Sequence, residues 1–254
     1  MTVQGEATAV LSVRGLAKRY GAVQALAGVD LDVRPGEVLA ICGDNGAGKS
    51  TLIKIVSGAE TASDGEMRLR GEAVRFASPH DALRRGLATI YQDLALAPRL
   101  AIYQNVFMGA ELTRGVGPLR VLDKPAMIEQ ARGYLAQLGS SVTDTTRAVA
   151  TLSGGQRQSV AIARALRWNA DIVVMDEPTA ALGVKETAQV LDLIRALNAA
   201  GKTVVLISHN MADVVAVAHR VAILKQGRKV IDRPVAGLDA DTLSHMVMAG
   251  REVA

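Results

Sequence analysis

The chain has 254 residues, 49% of them hydrophobic and 21% charged, which is apolar material for one large domain or two small ones and excludes a disordered chain. The formal charge is +4 with Lys and Arg scattered rather than striped, so charge selects neither nucleic acid nor an anionic membrane, and no nucleic-acid partner is expected. A single cysteine, Cys42, excludes an internal disulfide.

Aromatic residues make up only 3%, so Val, Ile, Leu and Ala must fill the core, a composition that suits parallel strands buried on both faces. The opening residues "MTVQGEATAV" lack the basic start and apolar run of a secretory signal. Nowhere do about 18 uncharged apolar residues follow one another, so no segment is expected to span a bilayer alone.

In chain order, "VLSVRGLAKRYG", "VDLDVRPGE" and "GEMRLRGEAVRF" alternate apolar and polar residues around short turns, which predicts a flanking antiparallel sheet. "EVLAIC" (37–42) reads as a buried strand, with Cys42 as inert core filling rather than a reactive thiol. "KSTLIKIVSG" (49–58) reads as the helix that follows it, stopped by glycine. A second helix is expected to start at Ser78 with Pro79 in its first turn and to lead into the strand "GLATIYQ". From about Asp93 to Thr151 the strands are expected to stop and helices to take over, among them 124–138 after a cap at Asp123.

"QSVAIARALRW" then predicts a strong helix, and "DIVVMDEP" and "KTVVLISH" two short β-branched strands. Between those strands Val190, Leu191, Ile194 and Leu197 fall on one helical face, with Gly201 as the stop. This strand–helix alternation predicts an α/β fold with a mostly parallel sheet. A single domain is expected: a core of about 1–92 and 157–254, with a helical subdomain of about 93–156 inserted in it.

"GDNGAGKS" (43–50) fits G-x-x-x-x-G-K-[ST] between a strand and a helix, the context this motif requires. Gly43, Gly46 and Gly48 let backbone N–H groups turn toward phosphate oxygens, with Asp44, Asn45 and Ala47 completing the loop. The helix start adds its positive end. Lys49 is expected to bridge the β- and γ-phosphates, Ser50 to ligate Mg²⁺, and Thr51 to bond the phosphates. At the carboxyl end of a strand, Asp176 suits the Mg²⁺ shell and Glu177 suits orienting or deprotonating a water. An acidic pair after a strand is often only a helix cap, but after a phosphate loop it points to hydrolysis.

"LSGGQRQ" (152–158) places Ser153, Gly154, Gly155 and Gln156 at a second helix start with exposed backbone donors. One nucleotide does not need two anion sites in one chain. A two-fold dimer, in which this patch closes on the ATP of the other copy, resolves the duplication.

With Gln92 after a strand in "TIYQD" and His209 after a strand in "LISH", five motifs stand in one order. Over nearly its full length the chain resembles the ATP-binding subunit of an ATP-binding cassette (ABC) transporter, a phosphate-loop NTPase fold. The resemblance implies head-to-tail dimers, with Gln92 sensing Mg²⁺ and the attacking water near the membrane partner. It implies that His209 contacts the γ-phosphate and that Tyr20, in "KRYG", stacks on adenine. "YQDLALAP" and "EPTAALG" are similar to the branch serving monosaccharide importers of the ribose, xylose and fructose type. Two departures stand out: this chain carries one cassette where many branch members fuse two, and Gly183 stands where most cassettes have an aspartate that touches the partner's phosphate loop.

These readings imply a cytoplasmic, membrane-associated ATPase subunit with ATP and Mg²⁺ as ligands. Its expected partners are a second copy or a homologous cassette, a transmembrane permease and, indirectly, an external sugar-binding protein. Rival readings are an exporter or lipid-transport cassette, a soluble cassette protein of DNA repair or translation, and a nucleotide-binding scaffold without turnover. His80, His219 and His245 stand apart from Cys and carboxylates at ligand spacing, so no metal site beyond nucleotide-bound Mg²⁺ is expected.

Overall fold

The computed structural model describes residues 9–252. Strands β1 (Leu11–Tyr20) and β2 (Val23–Val33) form a hairpin in which Leu11 faces Val33 and Tyr20 faces Val23. β3 (Val38–Cys42) is buried at every residue and runs through the phosphate loop into α1 (Lys49–Val56). β4 (Asp64–Leu69) and β5 (Glu72–Ala73) complete a four-stranded antiparallel sheet in the order β2-β1-β4-β5. α2 (Pro79–Arg84) starts where Ser78 Oγ accepts the Asp81 N–H, and it delivers β6 (Leu87–Ile90).

Next come α3 (Ile102–Phe107), a small hairpin of β7 (Thr113–Arg114) and β8 (Val121–Leu122), and α4 (Lys124–Gln137), which Asp123 caps. α5 (Gly154–Arg167), β9 (Ile172–Asp176), α6 (Val184–Ala199) and β10 (Thr203–Ile207) repeat the helix–strand alternation. The chain closes with α7 (Met211–Val217), β11 (Arg220–Lys225), β12 (Arg228–Pro234) and α8 (Ala240–Ala249). No helix among the described residues is long and apolar enough to cross a membrane.

The central sheet has the order β12-β11-β3-β10-β9-β6, parallel except for β12. Because β3 sits between β11 and β10, the carboxyl ends of β3, β10 and β9 lie side by side, with Ile41 opposite Ile207 and Ile207 opposite Asp176. Successive strand residues alternate between two cores. Leu39, Ile41, Val205 and Ile207 pack with α1 and the antiparallel sheet, whereas Val173, Met175, Val204 and Leu206 pack under α3 to α6. A third cluster joins Ala40, Cys42, Val221 and Ile223 to α7 and α8.

Two features depart from the sequence reading. The stretch from 93 to 151 is not purely helical: it carries the β7–β8 hairpin and two short 3₁₀ turns, because glycines at 109, 115 and 117 with positive φ bend the chain back. Past His209, the β11–β12 hairpin adds an antiparallel edge that no motif announces. Its turn uses Gln226 and Gly227, both at positive φ, and Gln is an uncommon choice there. Arg220 fixes the hairpin to the head of β3 through the Glu37 carboxylate (2.7 and 3.1 Å) and ties β11 to β12 through Asp232.

Candidate nucleotide site

The phosphate loop is shaped by close approach. Gly43 has φ +149, and a Cβ there would lie 2.3 Å from Leu224 O. At Gly48 (φ +104) a Cβ would lie 2.7 Å from Ala25 O. Gly46 (φ +80) instead faces open space. Bonds from Gly227 N–H to Ala47 O (3.0 Å) and from Ala27 N–H to Gly227 O (2.8 Å) brace the loop between β2 and the last hairpin. The first N–H groups of α1 have no intrahelical acceptor and are left to a ligand. Asp44, Asn45, Gly46 and Ser50 are exposed at the mouth of the loop, and Thr51 is half-buried behind them.

Lys49 is buried, and its ammonium donates only to the carbonyls of Gly43 (2.6 Å) and Asp44 (3.0 Å). No carboxylate among the described residues pairs with it. Asp176, half-buried at the end of β9, likewise has no cation or hydrogen-bond donor within bonding distance. Burial, and then the charge of neighbouring Glu177, push its carboxyl above the ordinary range, with Lys49 and Lys54 pulling the other way. An unpaired buried cation within electrostatic reach of an unpaired, half-buried carboxylate suits a polyphosphate with its divalent ion.

Glu177 takes φ +49, in the left-handed region, and donates its N–H to Ile207 O at 3.0 Å. Its Oε1 lies 3.3 Å from His209 Nδ1. Two residues expected to act on the γ-phosphate and its water are thus brought together from adjacent strands. Gln92 is exposed just beyond β6 and lines a groove of about 370 Å³ together with Glu177 and Gly154. Tyr20 ends β1 with 44% exposure, its hydroxyl 3.3 Å from Glu60 Oε2 and Lys18 Nζ 5.0 Å from the ring centre.

Ser153 caps α5: its Oγ faces the Gln156 N–H at 3.4 Å, and Gln156 Oε1 accepts the Ser153 N–H at 3.1 Å. The glycines that follow are required by packing, because a Cβ on Gly154 would lie 2.5 Å from Leu182 Cδ2 and one on Gly155 would lie 2.7 Å from Gln189 Oε1. No phosphate-loop residue lines the groove that holds Gly154. The second anion patch therefore shares a groove with Gln92 and Glu177 but not with the phosphate loop.

Other residues serve the site without a motif to mark them. Arg164 donates to Leu94 O (2.8 Å) and Ala95 O (3.1 Å), pinning the loop after Gln92, and burial lowers its pKa. Cys42 is fully buried and its thiol is pushed up to about 12, first by burial, so it is inert. His219 Nδ1 accepts the Val38 N–H at 3.0 Å, and His80 stands edge-on to Trp168.

The architecture and these residues define a phosphate-loop nucleoside triphosphatase. A family profile described as "ABC transporter" matches residues 26–180. The fructose import ATP-binding protein FrcA of Rhizobium meliloti is 51% identical over 225 residues, 87% of this chain and 86% of that protein. The xylose/arabinose import ATP-binding protein XylG of Sulfolobus acidocaldarius is 45% identical, with 88% of each chain covered. The ribose import ATP-binding protein RbsA 3 of Rubrobacter xylanophilus is 42% identical over 96% of this chain, which spans about half (48%) of that longer protein. Among solved structures, MJ1267, an ATP-binding cassette of an ABC transporter, matches with a TM-score of 0.82 at 26% identity, covering 96% of this chain and 98% of that one. The dimeric post-hydrolysis state of the cassette MJ0796 with ADP and Pi matches at 0.74 and 26% identity, covering 90% and 100%. The chain belongs to the ABC transporter family and is one of its ATPase cassettes.

Proposed function

We propose that this chain is the ATP-hydrolysing subunit of an importer for a monosaccharide, bound peripherally to the cytoplasmic side of the membrane through a separate permease. The observation that carries the reading is the convergence of Lys49, Asp176 and the Glu177–His209 pair on the carboxyl ends of three adjacent strands. The fructose, xylose/arabinose and ribose import names of its relatives support the substrate class.

In this reading the loop N–H groups of 43–48 and Lys49 hold the β- and γ-phosphates, Thr51 adds a hydroxyl, and Tyr20 stacks on the base. Ser50, Gln92 and Asp176 hold Mg²⁺, which when bound offsets phosphate charge. Glu177 orients the attacking water and accepts its proton, and His209, held beside that carboxylate, reaches the γ-phosphate. The N-terminus of α5, with Ser153, Gly154, Gly155 and Gln156, completes the site of a partner cassette in a head-to-tail dimer. The match to FrcA and XylG over 86% and 88% of their lengths supports self-pairing or pairing with a homologous subunit. Closure can drive a transporter only because ATP binds the closed dimer better than the open one.

The permease is expected to dock beside Gln92. A groove of about 300 Å³ lies there between α2, β6, α3 and α5, lined by His80, Leu83, Tyr91, Met108 and Trp168. In this reading an external binding protein delivers the sugar to the permease rather than to the cassette. Purification from detergent-solubilised native membranes tests the whole assignment: a permease should accompany the chain, and ATPase activity of the complex should rise with one monosaccharide and its binding protein. Recovery with soluble partners alone, or tight sugar binding by the isolated chain in calorimetry, overturns it.

A further inference from the structure

The chain between Glu177 and α6 runs from the carboxyl end of β9 to the helix start at Ser153 and Gly154. Ala180 N–H returns to Glu177 O at 3.1 Å, Ala181 takes φ +60, and Leu182 N–H returns to Thr179 O at 3.3 Å. Gly183, the N-cap of α6, has no side chain with which to cap, and Glu186 reaches back instead, its Oε2 3.4 Å from the Gly183 N–H. The other oxygen of that carboxylate accepts the Gly154 N–H at 3.0 Å. Gly154 is the first residue of α5, so one donor of that helix start is engaged by a side chain 32 residues further on. Leu182 closes the contact by packing over Gly154.

For a helix end that only attracts phosphate this is a poor arrangement, because a carboxylate offsets part of its positive end. Nor is the bond needed as a cap, since Ser153 and Gln156 already cap each other's N–H groups. As a clamp it makes sense. One planar group fixes the spacing of two backbone N–H groups, one on the element that faces the partner's nucleotide and one on the loop that begins at this chain's own hydrolytic residue.

We propose that Glu186 is a positioning residue that couples the two ATP sites, transmitting seating of α5 on the partner's nucleotide to the loop that carries Glu177. The inference rests on the dimer reading above. Position 183 has no side chain for this task, and the link runs through Glu186 instead. Nothing reacts at Glu186 itself.

The test combines turnover with dimerisation. Glu186→Ala, and Glu186→Asp with its carboxylate one methylene short, should each lower kcat about tenfold and bring the Hill coefficient for ATP toward one, while monomer ATP affinity stays within about twofold. Glu186→Gln keeps an oxygen for one of the two N–H groups but turns an amide NH₂ toward the other. It breaks one arm of the clamp and should fall between the native chain and alanine in kcat and Hill coefficient. An alanine variant with unchanged kcat and Hill coefficient overturns the proposal, and so does a glutamine variant indistinguishable from the native chain, which would mean that the second acceptor is not needed. The dimer reading is checked separately with Glu177→Gln. If that chain stays monomeric at saturating ATP, the reading and the coupling fall together; if it dimerises while the Glu186 variants turn over normally, the coupling alone falls.

Discussion

Oε1 of Glu177 lies 3.3 Å from Nδ1 of His209, and the two side chains come from β9 and β10, which are hydrogen-bonded neighbours. The glutamate is the more sheltered partner, with 24% side-chain exposure against 63% for the histidine, which leaves His209 at the solvent-facing rim of the pair. Glu177→Gln preserves the shape and the left-handed backbone but no longer takes a proton. Hydrolysis is expected to slow by about 10²–10⁴-fold, the usual worth of a positioned general base, with ATP still bound. Phosphate release measures the first effect. Light scattering at saturating ATP should show a stable dimer, and a monomer there contradicts the sandwich.

Lys49 tests the nucleotide assignment itself. Its ammonium is buried against the Gly43 and Asp44 carbonyls with no carboxylate partner among the described residues, so a phosphate would supply its counter-charge. Lys49→Ala is expected to weaken ATP binding by about a hundredfold or more, consistent with loss of a buried charge-assisted contact. Titration with a fluorescent ATP analogue reads it directly. Unchanged affinity refutes the phosphate-loop assignment.

Much of this site was legible because each part is local. The phosphate loop, the acid after "IVVM" and the capped start at Ser153 are short runs whose backbone context follows from the adjacent apolar strand or helix. The strands β3, β9 and β10 read correctly because burial on both faces demands unbroken apolar runs. What the sequence hid is tertiary. Gly227 braces the phosphate loop from a hairpin 180 residues away (227 against 47), and nothing in "KQGRK" marks that role. Arg164 looks like an ordinary basic residue in the last turn of a helix, yet it pins the loop after Gln92. Glu186 reads only as an acid in a helix's first turn. The β7–β8 hairpin escaped because two-residue strands carry no periodicity.

The glycines of the phosphate loop should separate folding from binding. At Gly43 a Cβ would meet backbone, Leu224 O at 2.3 Å, which cannot yield without moving β11. Gly43→Ala is therefore expected to cost about 2–4 kcal/mol of stability, an overpacking penalty against main chain. Gly46 also has positive φ but no neighbour within 4 Å, so Gly46→Ala should cost only about 1–2 kcal/mol of backbone strain. Both should lose ATP affinity. Denaturant melts of the nucleotide-free variants check the ranking, and equal losses would mean that the loop is not braced by β11.

Asp176 should show a conflict between stability and function, with a sign that pH reveals. Burial first, and the Glu177 charge second, hold its folded pKa above the ordinary 3.8, so the folded chain keeps this proton to higher pH than the unfolded chain does. Ionisation therefore costs folding free energy, beginning as pH rises past the unfolded value and complete above the folded one. Asp176→Asn removes that cost. Without nucleotide its Tm at pH 8 should exceed that of the native chain, and the gap should narrow as pH falls toward 4. With Mg²⁺ and ATP present the order should reverse, because only the native chain gains the stabilisation that ligand binding confers. Scanning fluorimetry across pH, with and without Mg²⁺–ATP, reads both arms. A nucleotide-free Asn variant less stable than the native chain at pH 8 would mean that Asp176 is stabilised by its surroundings rather than held in wait for a cation.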